Sequence, residues 1–516
     1  MQKICNFSLI NLWCTKNLVD SQYFLGRLFD MSIKTPDYQL NYFTDPFDTK
    51  TDIVFLNTCG FISSWRDEAD EMVKKLLKTK KTVYLLGCAV QYYKKLANIT
   101  PPLIPPHGME REIKNHPSHT KWRGAGGEVT NLHYLSRPDL NTVTLKNIMQ
   151  WYDSKTFGNF AFATSPRVYT NVEQKFEYLK IAEWCDNHCS FCIIPAIRWK
   201  QQSLTIEKVL NEAKNMIANG IKEIILIAQD TTRYGTDLYG KPQLLPLLKK
   251  LDKLKWGFTY RLLYLYPDIV TLSQIKELKK LKKFIPYFDI PLQHISSSVL
   301  KKMGRFSPQP QKEQVKRSYF WWLRNTDDSA YDETYIHKFL DQIKKIFPIR
   351  FIRTNLIIGF PGETKQDFEK LLKFVEETKF DNIALFEYHD EPLAASSKLA
   401  NKVDDYEIRT RFTKIRQLVN RQLLESEQAR KWKEETWYIV EIAYPILNSK
   451  VALAESVPSI SAGKWRGVGG EVTLVVRPLL HCPEIDSYDE ISVDQVIRTY
   501  DDKSSLEIWD KIVYIV

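Results

Sequence analysis

The sequence predicts an α/β protein made of two parallel-sheet domains and a small β-domain at its carboxyl end. Three observations carry this prediction. Within residues 1–105, short apolar runs alternate with helix-like segments, and the alternation resumes over residues 176–429. Strands that alternate with helices are typical of parallel sheets. In the last part of the chain, residues 430–516, Trp437–Ile442 and Ile512–Val516 are predicted as strands of the small β-domain.

The first domain, residues 1–105, places a cysteine at the end of each predicted strand. The strands Phe7–Trp13, Ile53–Thr58 and Val83–Gly87 lead to Cys14, Cys59 and Cys88, with helices over Ser21–Phe29 and Asp67–Lys78 between them. Ligands gather at the carboxyl ends of parallel strands. We therefore expect the three cysteines to lie along one sheet edge and to hold an iron–sulfur cluster. The alternative is that they are buried core cysteines, as we expect of Cys5 and Cys482.

The second domain, residues 176–429, is predicted to be a barrel of parallel strands. Strands are expected over Tyr178–Glu183, Glu223–Ala228, Arg261–Tyr266, Tyr287–Ile290, Ile352–Ile358 and Ile383–Glu387, and helices over Thr205–Ala218, Tyr335–Ile346, Lys365–Thr378 and Ile408–Ala429. Such a barrel carries its site at the carboxyl ends of its strands.

Several stretches are predicted to lie outside these domains. Residues 106–142 are expected to form an inserted loop and residues 143–175 a linker, with further insertions at 307–333 and 456–480. The decapeptide Lys121–Thr130 recurs as Lys464–Thr473, with Val468 in place of Ala125. Both copies are rich in glycine, so we expect related surface loops of low order.

Cys185, Cys189 and Cys192 form the pattern Cys-x3-Cys-x2-Cys. Three thiolates this close together suit an iron–sulfur cluster. Three ligands to a four-iron cluster leave one iron open, and an open metal position can bind a small molecule. The alternative is zinc, with His188 inside the run as a fourth ligand. Zinc spacing normally pairs two such groups, so the cluster is favoured.

The Cys185–Cys192 run resembles the signature of the radical S-adenosylmethionine (SAM) enzymes, in which the open iron binds the amino and carboxylate groups of SAM. The wider chain is similar to the radical-SAM methylthiotransferases, and among them to the RimO type. That type methylthiolates an aspartate of small-subunit ribosomal protein twelve. The matching segments are Cys14–Ser21, Asn57–Ile62, Leu86–Cys88, Ala228–Gly235, Leu262–Asp268, Asp289–His294 and Ile358–Thr364. The Gln-Asp-Thr-Thr-Arg within Ala228–Gly235 separates this type from its tRNA-modifying relatives.

The resemblance implies a Rossmann-like methylthiotransferase domain, a partial TIM-type radical-SAM barrel and a carboxy-terminal TRAM β-barrel that engages the substrate. It also implies SAM and two 4Fe–4S clusters as cofactors, and an electron donor of the flavodoxin or ferredoxin type. One SAM would methylate a sulfur carried by an auxiliary cluster. A second would give the 5′-deoxyadenosyl radical that takes hydrogen from the aspartate β-carbon, which then captures the methylthio group.

The resemblance assigns these roles to residues of the chain. The auxiliary cluster falls to Cys14, Cys59 and Cys88, the SAM-cleaving cluster to Cys185, Cys189 and Cys192, and further SAM contacts to Gln229, Asp230 and Gly359.

Three tryptophans depart from the family pattern. Trp13, Trp184 and Trp199 stand where the family has glycine. If these positions need a positive φ, a side chain there costs about 1–2 kcal/mol each. Our hypothesis is that a codon translated as Trp is decoded as Gly in the source organism. Peptide mass spectrometry of the native protein that finds Trp at all three positions would rule this out.

Composition excludes several classes of protein. Of 516 residues, 44% are hydrophobic and 26% charged, which is typical of globular rather than disordered chains. Eight cysteines in so long a chain favour metal binding in a reducing compartment over a disulfide scaffold. No apolar run approaches a membrane span, and the apolar start has no small-residue cleavage site. We therefore expect a cytoplasmic protein that does not enter a membrane.

The net charge of +11 is uneven, because residues His481–Val516 carry nine acidic and three basic side chains, a net charge of −6. An acidic end disfavours a nucleic-acid target and favours a basic partner, such as a ribosomal protein. Two alternatives remain. A tRNA adenosine methylthiotransferase shares every cysteine, but it should have a basic carboxy-terminal barrel. A catalytically inactive iron–sulfur protein would explain the tryptophans, although six intact cysteines argue against decay.

Overall fold

The computed structural model describes residues 3–12, 14–34, 38–79, 81–99, 167–170, 175–197, 200–267, 272–305 and 332–430, and short strands within 110–134 and 434–515. The chain divides into two compact units. The first comprises Met1–Thr170, Trp184–Lys200 and His389–Lys398, and the second comprises Asn171–Glu183, Gln201–Tyr388 and Leu399–Val516. Within the described ranges, no helix combines the length and the apolar character needed to cross a bilayer.

The first unit is built on a parallel sheet. Its elements in chain order are β1 (Lys3–Asn11), α1 (Thr15–Lys34), β2 (Tyr38–Tyr42), β3 (Ile53–Thr58), α2 (Ser63–Leu77), β4 (Thr82–Gly87), α3 (Cys88–Ile99), β5 (Glu110–Glu112), β6 (Lys121–Gly124), β7 (Gly127–Val129) and β8 (Leu132–Tyr134). The five-stranded sheet has the order β2-β1-β3-β4-β8, and every pairing in it is parallel. The predicted Rossmann-like fold class is thereby confirmed.

Helices cover both faces of this sheet, because successive side chains of a strand point to opposite faces. Phe55 of β3 packs against Phe24 of α1, with ring centroids 4.9 Å apart. Its neighbour Leu56 belongs to the opposite cluster, with Val73 of α2. All four side chains are almost fully buried. Complete burial of one such side chain contributes about 1.5–3 kcal/mol, so these two layers stabilise the sheet edge that carries the cysteines.

The prediction of a loop over residues 106–142 is wrong in two places. Leu132–Tyr134 pairs in parallel with β4 as the fifth strand of the sheet. The first copy of the repeat contains β6 and β7, which pair as an antiparallel hairpin. A hairpin needs only two residues between its strands, so a glycine-rich stretch can contain strand ends as well as a turn. Residues 464–472 of the second copy and residues 307–331 of the later insertion lie outside the described residues.

The elements from residue 176 to 430 follow the predicted series closely. They are β9 (Phe176–Lys180), β10 (Ala182–Glu183), α4 (Ile194–Ile197), β11 (Gln202–Ser203), α5 (Ile206–Ala218), β12 (Glu223–Ile227), α6 (Thr236–Tyr239), α7 (Leu244–Asp252), β13 (Thr259–Leu262), α8 (Leu272–Leu278), β14 (Phe284–Gln293), α9 (Ser297–Lys302), α10 (Glu333–Ile346), β15 (Phe351–Ile358), α11 (Lys365–Thr378), β16 (Asn382–Glu387), a 3-10 turn (Ala395–Lys398) and α12 (Asp405–Arg430). Of these, α4 and the 3-10 turn belong to the first unit.

The second unit contains a six-stranded parallel sheet in the order β16-β15-β14-β13-β12-β9. Sequential strands therefore lie side by side, as in a TIM-type barrel. Among the described strands, β9 and β16 do not pair with each other, so the barrel is open. The partial barrel predicted from the sequence is confirmed.

Local sequence sets the helix boundaries in this unit. The side chain of Thr364 accepts a hydrogen bond from the backbone of Asp367, and the Asp367 side chain bonds back to the Thr364 backbone, so α11 begins with a capping box. Thr205 accepts from the backbone of Lys208 at the start of α5. Both caps lie at the starts that the sequence predicts.

The carboxy-terminal part consists of short strands, as predicted. These are β17 (Glu434–Ala443), β18 (Ile460–Ser461), β19 (Thr473–Pro478), β20 (Asp489–Ser492), β21 (Ser505–Leu506) and β22 (Lys511–Ile515). Four of them form an antiparallel sheet in the order β20-β19-β17-β22. The prediction that this sheet closes into a TRAM barrel falls on residues outside those described.

Candidate active site

The first three cysteines lie at one edge of the first sheet. Cys14 follows β1, Cys59 follows β3 and Cys88 follows β4. These strands are neighbours in the order β1-β3-β4. Their register pairs Asn11 with Asn57, and the last residue of β3 with the last of β4. The strand ends are therefore level, and the predicted placement of the three cysteines is confirmed.

Two glycines allow these strand ends to approach closely. A Cβ at Gly60 would lie 2.8 Å from the carbonyl carbon and oxygen of Cys88. A Cβ at Gly87, whose φ is +91°, would lie 2.3 Å from the carbonyl oxygen of Thr58. Backbone atoms cannot move aside as a flexible side chain can. Glycine at both positions therefore lets the loop of Cys59 lie against the start of α3.

Two buried asparagines join the same strand ends. The Asn17 amide donates to the carbonyl oxygen of Thr58 at 2.9 Å. The Asn57 amide donates to the carbonyl oxygen of Asn17 at 2.9 Å and to the Ser21 hydroxyl at 2.8 Å. The Cys88 thiol donates to Asn17 Oδ1 at 3.7 Å. This network fixes the start of α1 against β3 and contacts one of the cysteines directly.

The thiol of Cys59 has a pKa well above its ordinary value. A hydrogen bond with Cys14 is the largest cause, followed by burial and by the nearby thiols of Cys14 and Cys88. The three sulfurs therefore lie near one another in a largely buried place. Without a metal, crowding favours the neutral thiols. Iron–sulfur clusters are held by Cys thiolates, so this donor set fits a cluster with three protein ligands.

The second group of cysteines lies on the loop that follows β10. Cys185 and Cys189 are buried and Cys192 is half-buried. The backbone N–H of Asn187 donates to Cys185 Sγ at 3.4 Å, and the N–H of Cys192 donates to the carbonyl oxygen of Cys189 at 3.1 Å. These bonds bend the chain into one short loop that carries all three thiols. Three thiols on one loop again suit an iron–sulfur cluster. His188 is exposed.

Trp184, directly before Cys185, has a left-handed backbone with φ +63° and is 7% exposed. The condition on which the strain argument rests, a positive φ, is therefore met at Trp184. Trp13 and Trp199 lie outside the described residues, so the same expectation for them stays a prediction.

Both cysteine loops belong to the first unit. They share a hydrophobic cluster. In it, Cys88 and Tyr92 of α3 pack with Ile193 and Ile197, which follow Cys192. The two groups of thiols are thus joined by a common core.

The other predicted site residues lie in the second unit, at the carboxyl ends of barrel strands. Gln229 follows β12, and its Oε1 is buried without a hydrogen-bond partner among the described residues. An orphaned acceptor at this position fits a ligand that can donate a hydrogen bond. Gly359 follows β15 with φ +80°, and its N–H donates to Glu363 Oε2 at 2.8 Å.

Asp230 is buried and bonded within its own loop. Its Oδ1 accepts from the N–H of Thr232 at 3.0 Å, and its Oδ2 lies 3.3 Å from Arg233 Nε. The carboxylate therefore shapes the turn that presents Gln229.

Comparison with known proteins identifies the family. Residues 179–375 match the Radical SAM superfamily, and residues 6–103 match uncharacterized protein family UPF0004. The ribosomal protein uS12 methylthiotransferase RimO of Alkaliphilus oremlandii (strain OhILAs) is 35% identical over 440 residues, which cover 83% of this chain and 85% of the relative. The protein of the same name from Carboxydothermus hydrogenoformans is 31% identical over 495 residues, covering 95% and 94%. The chain belongs to the RimO family of radical-SAM methylthiotransferases.

Solved structures similar to this RimO-family chain include two other radical-SAM enzymes. The cobalamin-dependent enzyme OxsB matches with a TM-score of 0.45 at 11% identity, over 82% of this chain and 56% of that one. The methyltransferase TsrM from Kitasatospora setae matches with a TM-score of 0.44 at 11% identity, over 75% of each chain.

As a radical-SAM methylthiotransferase, the chain uses SAM and 4Fe–4S clusters. Among its described residues, no three or more His, Cys, Asp or Glu side chains form a site compact enough for a single metal ion. A four-iron cluster is larger than one ion, and each of its ligands binds a different iron. Each group of cysteines therefore needs only to place its three thiols around a space large enough for one cluster.

The structure of this RimO-family chain also shows polar groups that sequence reasoning missed. Arg66 of α2 pairs with Glu391, which is 325 positions away. In the second unit, Arg411 Nη1 lies 2.7 Å from Glu363 Oε1, and His294 Nε2 lies 3.7 Å from Glu363 Oε2. His294 and Glu363 stand inside matched segments, so the motifs contain a signal for them. Arg66 and Glu391 stand outside the matched segments, and only the fold brings them together.

Proposed function

We propose that this RimO-family chain adds a methylthio group to the β-carbon of an aspartate in small-subunit ribosomal protein uS12. Relatives that match most of the chain carry uS12 in their names. The observation that carries the proposal is the placement of six thiols, three at neighbouring strand ends and three on a loop of the same unit. Sulfur donation and radical generation must reach one substrate carbon, and this placement supports that requirement.

In this proposal Cys14, Cys59 and Cys88 hold the auxiliary cluster. The other cluster is held by Cys185, Cys189 and Cys192. When bound, the two clusters supply the sulfur to be transferred and the electron that cleaves SAM. The asparagine network beside Cys88 keeps the strand ends level, and burial of Cys59 and Cys189 excludes water from the thiolates.

The barrel unit supplies the SAM contacts. Gln229 Oε1 accepts a hydrogen bond from SAM, because it is a buried acceptor without a partner among the described residues. Asp230 positions Gln229 through the loop bonds to Thr232 and Arg233. A Cβ at Gly359 would lie 2.4 Å from Ile408 Cγ1, so glycine here lets α12 pack against the end of β15, and we assign the SAM contact of Gly359 to its backbone.

We assign residues 1–105 to the methylthiotransferase domain, 176–429 to the radical-SAM core and 430–516 to the TRAM-like domain. The net charge of −6 over His481–Val516 attracts a basic protein substrate. It disfavours a direct nucleic-acid target. The electron comes from a donor of the flavodoxin or ferredoxin type, and the reaction takes place in the cytoplasm, where the substrate is made.

The experiment that tests the proposal uses purified components under anaerobic conditions. Reconstituted protein is mixed with SAM, a reductant and uS12, and the uS12 digest is searched for methylthio-aspartate. The proposal expects it with the wild type and expects its loss in Cys59→Ala, while Cys59→Ala still forms 5′-deoxyadenosine. Methylthio-adenosine in tRNA, with unmodified uS12, would establish the tRNA enzyme instead. A wild type that binds clusters without cleaving SAM would establish the inactive protein.

A further inference from the structure

The segment His389–Lys398 lies in the first unit, although the residues on both sides of it belong to the second. It follows β16 and ends with the 3-10 turn. The chain thus leaves the barrel unit after its last strand, contributes one short segment to the unit that carries all six cysteines, and returns. This 389–398 segment therefore packs within the same unit as the six cysteines.

A buried ion pair holds the segment to α2. Arg66 Nη2 donates to both carboxylate oxygens of Glu391 at 2.8 Å. The two side chains are 9% and 8% exposed. The Tyr92 ring centroid lies 4.0 Å from the guanidinium carbon, and the Tyr92 hydroxyl lies 3.4 Å from Glu391 Oε2. Nη2 thus contacts both carboxylate oxygens, and Nη1 is left for a different acceptor.

The same arginine contacts the auxiliary cysteine loop. Arg66 Nη1 donates to the carbonyl oxygen of Gly60 at 3.0 Å, and Gly60 directly follows Cys59. Tyr92 lies four residues after Cys88 on α3, and residues four apart share a helix face. Arg66 therefore contacts the residue after Cys59 and a residue about one helical turn after Cys88.

The other end of the segment contacts the second cysteine loop. The N–H of Ser396 donates to the carbonyl oxygen of Ser190 at 2.8 Å, and Ser190 directly follows Cys189. Ala394 packs in one hydrophobic cluster with Cys88 and with Ile193, which directly follows Cys192. One short segment thus contacts both cysteine loops, at Glu391 through Arg66 and at Ser396 directly.

We propose that Arg66 and Glu391 are a positioning pair that sets the spacing between the two cysteine loops through the 389–398 segment. The inference rests on the proposed function, because the spacing matters only if both loops hold clusters. Loss of the pair releases the Glu391 end of the segment and weakens the hold on the Gly60 carbonyl, so the two cysteine loops shift relative to each other although all six cysteines are retained. SAM cleavage then continues, but the radical and the sulfur no longer reach the same substrate carbon.

The test compares Glu391→Gln with Glu223→Gln, after reconstitution of both clusters. Glu223 forms a buried ion pair with Arg261 at the start of β12, away from the carboxyl ends of the strands, so the control also removes a buried charge partner. Three quantities are measured for each protein: iron per chain, the magnetic interaction between the two reduced clusters by pulsed electron paramagnetic resonance, and the ratio of 5′-deoxyadenosine to methylthiolated uS12.

Glu391→Gln is expected to keep its iron, to change the magnetic interaction, and to raise the ratio by roughly tenfold, since a displacement of about 1 Å can cost about a hundredfold in rate. Glu223→Gln should leave the interaction and the ratio at wild-type values even where its unfolding temperature falls. If Glu391→Gln fails to fold, Arg66→Lys, which keeps the charge but lacks the second nitrogen that bonds the Gly60 carbonyl, must show the same changes.

A variant that only lowers the unfolding temperature, with wild-type interaction and ratio, would show the pair to be structural and overturn the proposal. A wild type that holds only one cluster would overturn the proposed function itself. The two failures are therefore distinguishable.

Discussion

Trp184 shows how a single backbone conformation can conflict with its side chain. At φ +63° a residue with a Cβ costs about 1–2 kcal/mol, whereas a glycine does not. The indole is 7% exposed, so its burial offsets part of that strain. The left-handed backbone agrees with the hypothesis that the codon is decoded as Gly, whereas the buried indole agrees with a genuine tryptophan.

Replacement of the indole by two different small residues separates these effects. Trp184→Gly and Trp184→Ala lose the same buried side chain, but only the alanine keeps the left-handed strain. We expect Trp184→Gly to be more stable than Trp184→Ala by about 1 kcal/mol in urea unfolding. The control pair at Met216, buried inside α5, should reverse the order, because glycine in a helix costs about 1 kcal/mol relative to alanine. Equal stabilities of the two Trp184 variants would show that the position carries no strain.

His294 is fully buried, and its pKa is lowered to about 3, mainly by burial; Asp367 has a smaller raising effect and Arg411 a smaller lowering effect. The native state therefore holds it neutral, while the unfolded chain protonates it near pH 6.5. Below that pH the unfolded state binds one more proton than the native state. This contribution to stability is complete above pH 6.5 and falls with pH down to about 3.

We expect the difference in unfolding free energy between wild type and His294→Gln to shrink by about 1.4 kcal/mol per pH unit as the pH falls from 6 to 5. Burial raises the pKa of nearby Glu363 despite its bond to Arg411, and Asp367 titrates with a lowered pKa. Both groups are present in the two proteins, so the comparison isolates His294. Urea unfolding at a series of pH values checks it, with exposed His188→Gln as a control. A difference that does not vary with pH would contradict a neutral buried His294.

At the scale of elements, the site depends on level strand ends and on the close approach of the Cys59 loop to α3. Gly60→Ala places a Cβ 2.8 Å from the Cys88 backbone, so the loop must move away. We expect this variant to lose the iron of one cluster, to keep 5′-deoxyadenosine formation and to lose methylthiolation. Gly257→Ala, where a Cβ would meet nothing within 4 Å, is the matched control. Full iron loading of Gly60→Ala would show that the approach is not needed.

The sequence is sufficient for elements whose signals are local. The alternation of apolar runs with helix-like segments predicts the three cysteine-bearing strand ends and α11, because hydrophobic periodicity acts within a few residues. It is not sufficient for β2 and β8, which are short edge strands whose pairing with β1 and β4 depends on distant neighbours. The Arg66–Glu391 pair is a stronger case, since its partners lie 325 positions apart.

At the scale of the whole molecule, we propose that the acidic carboxy-terminal segment attracts a basic substrate to a chain that is itself basic overall. The net charge of +11 coexists with −6 over His481–Val516. Salt screens such attraction, with a Debye length of about 10 Å at about 0.1 M. We expect kcat/KM for uS12 to fall as salt is raised from about 0.05 M to about 0.5 M, while the rate of SAM cleavage without uS12 changes little. A kcat/KM that does not vary with salt would show that the acidic segment His481–Val516 plays no part in substrate recognition.

The central claim is that this chain methylthiolates uS12 with two groups of three cysteines. The most direct measurement is the intact mass of uS12 from cells with and without the gene, complemented by wild type, Cys59→Ala or Cys189→Ala. The account predicts an increase of one methylthio group that appears only with the wild-type gene and is lost in both variants. An unchanged uS12 mass in cells that produce the wild-type protein with both clusters loaded would contradict it.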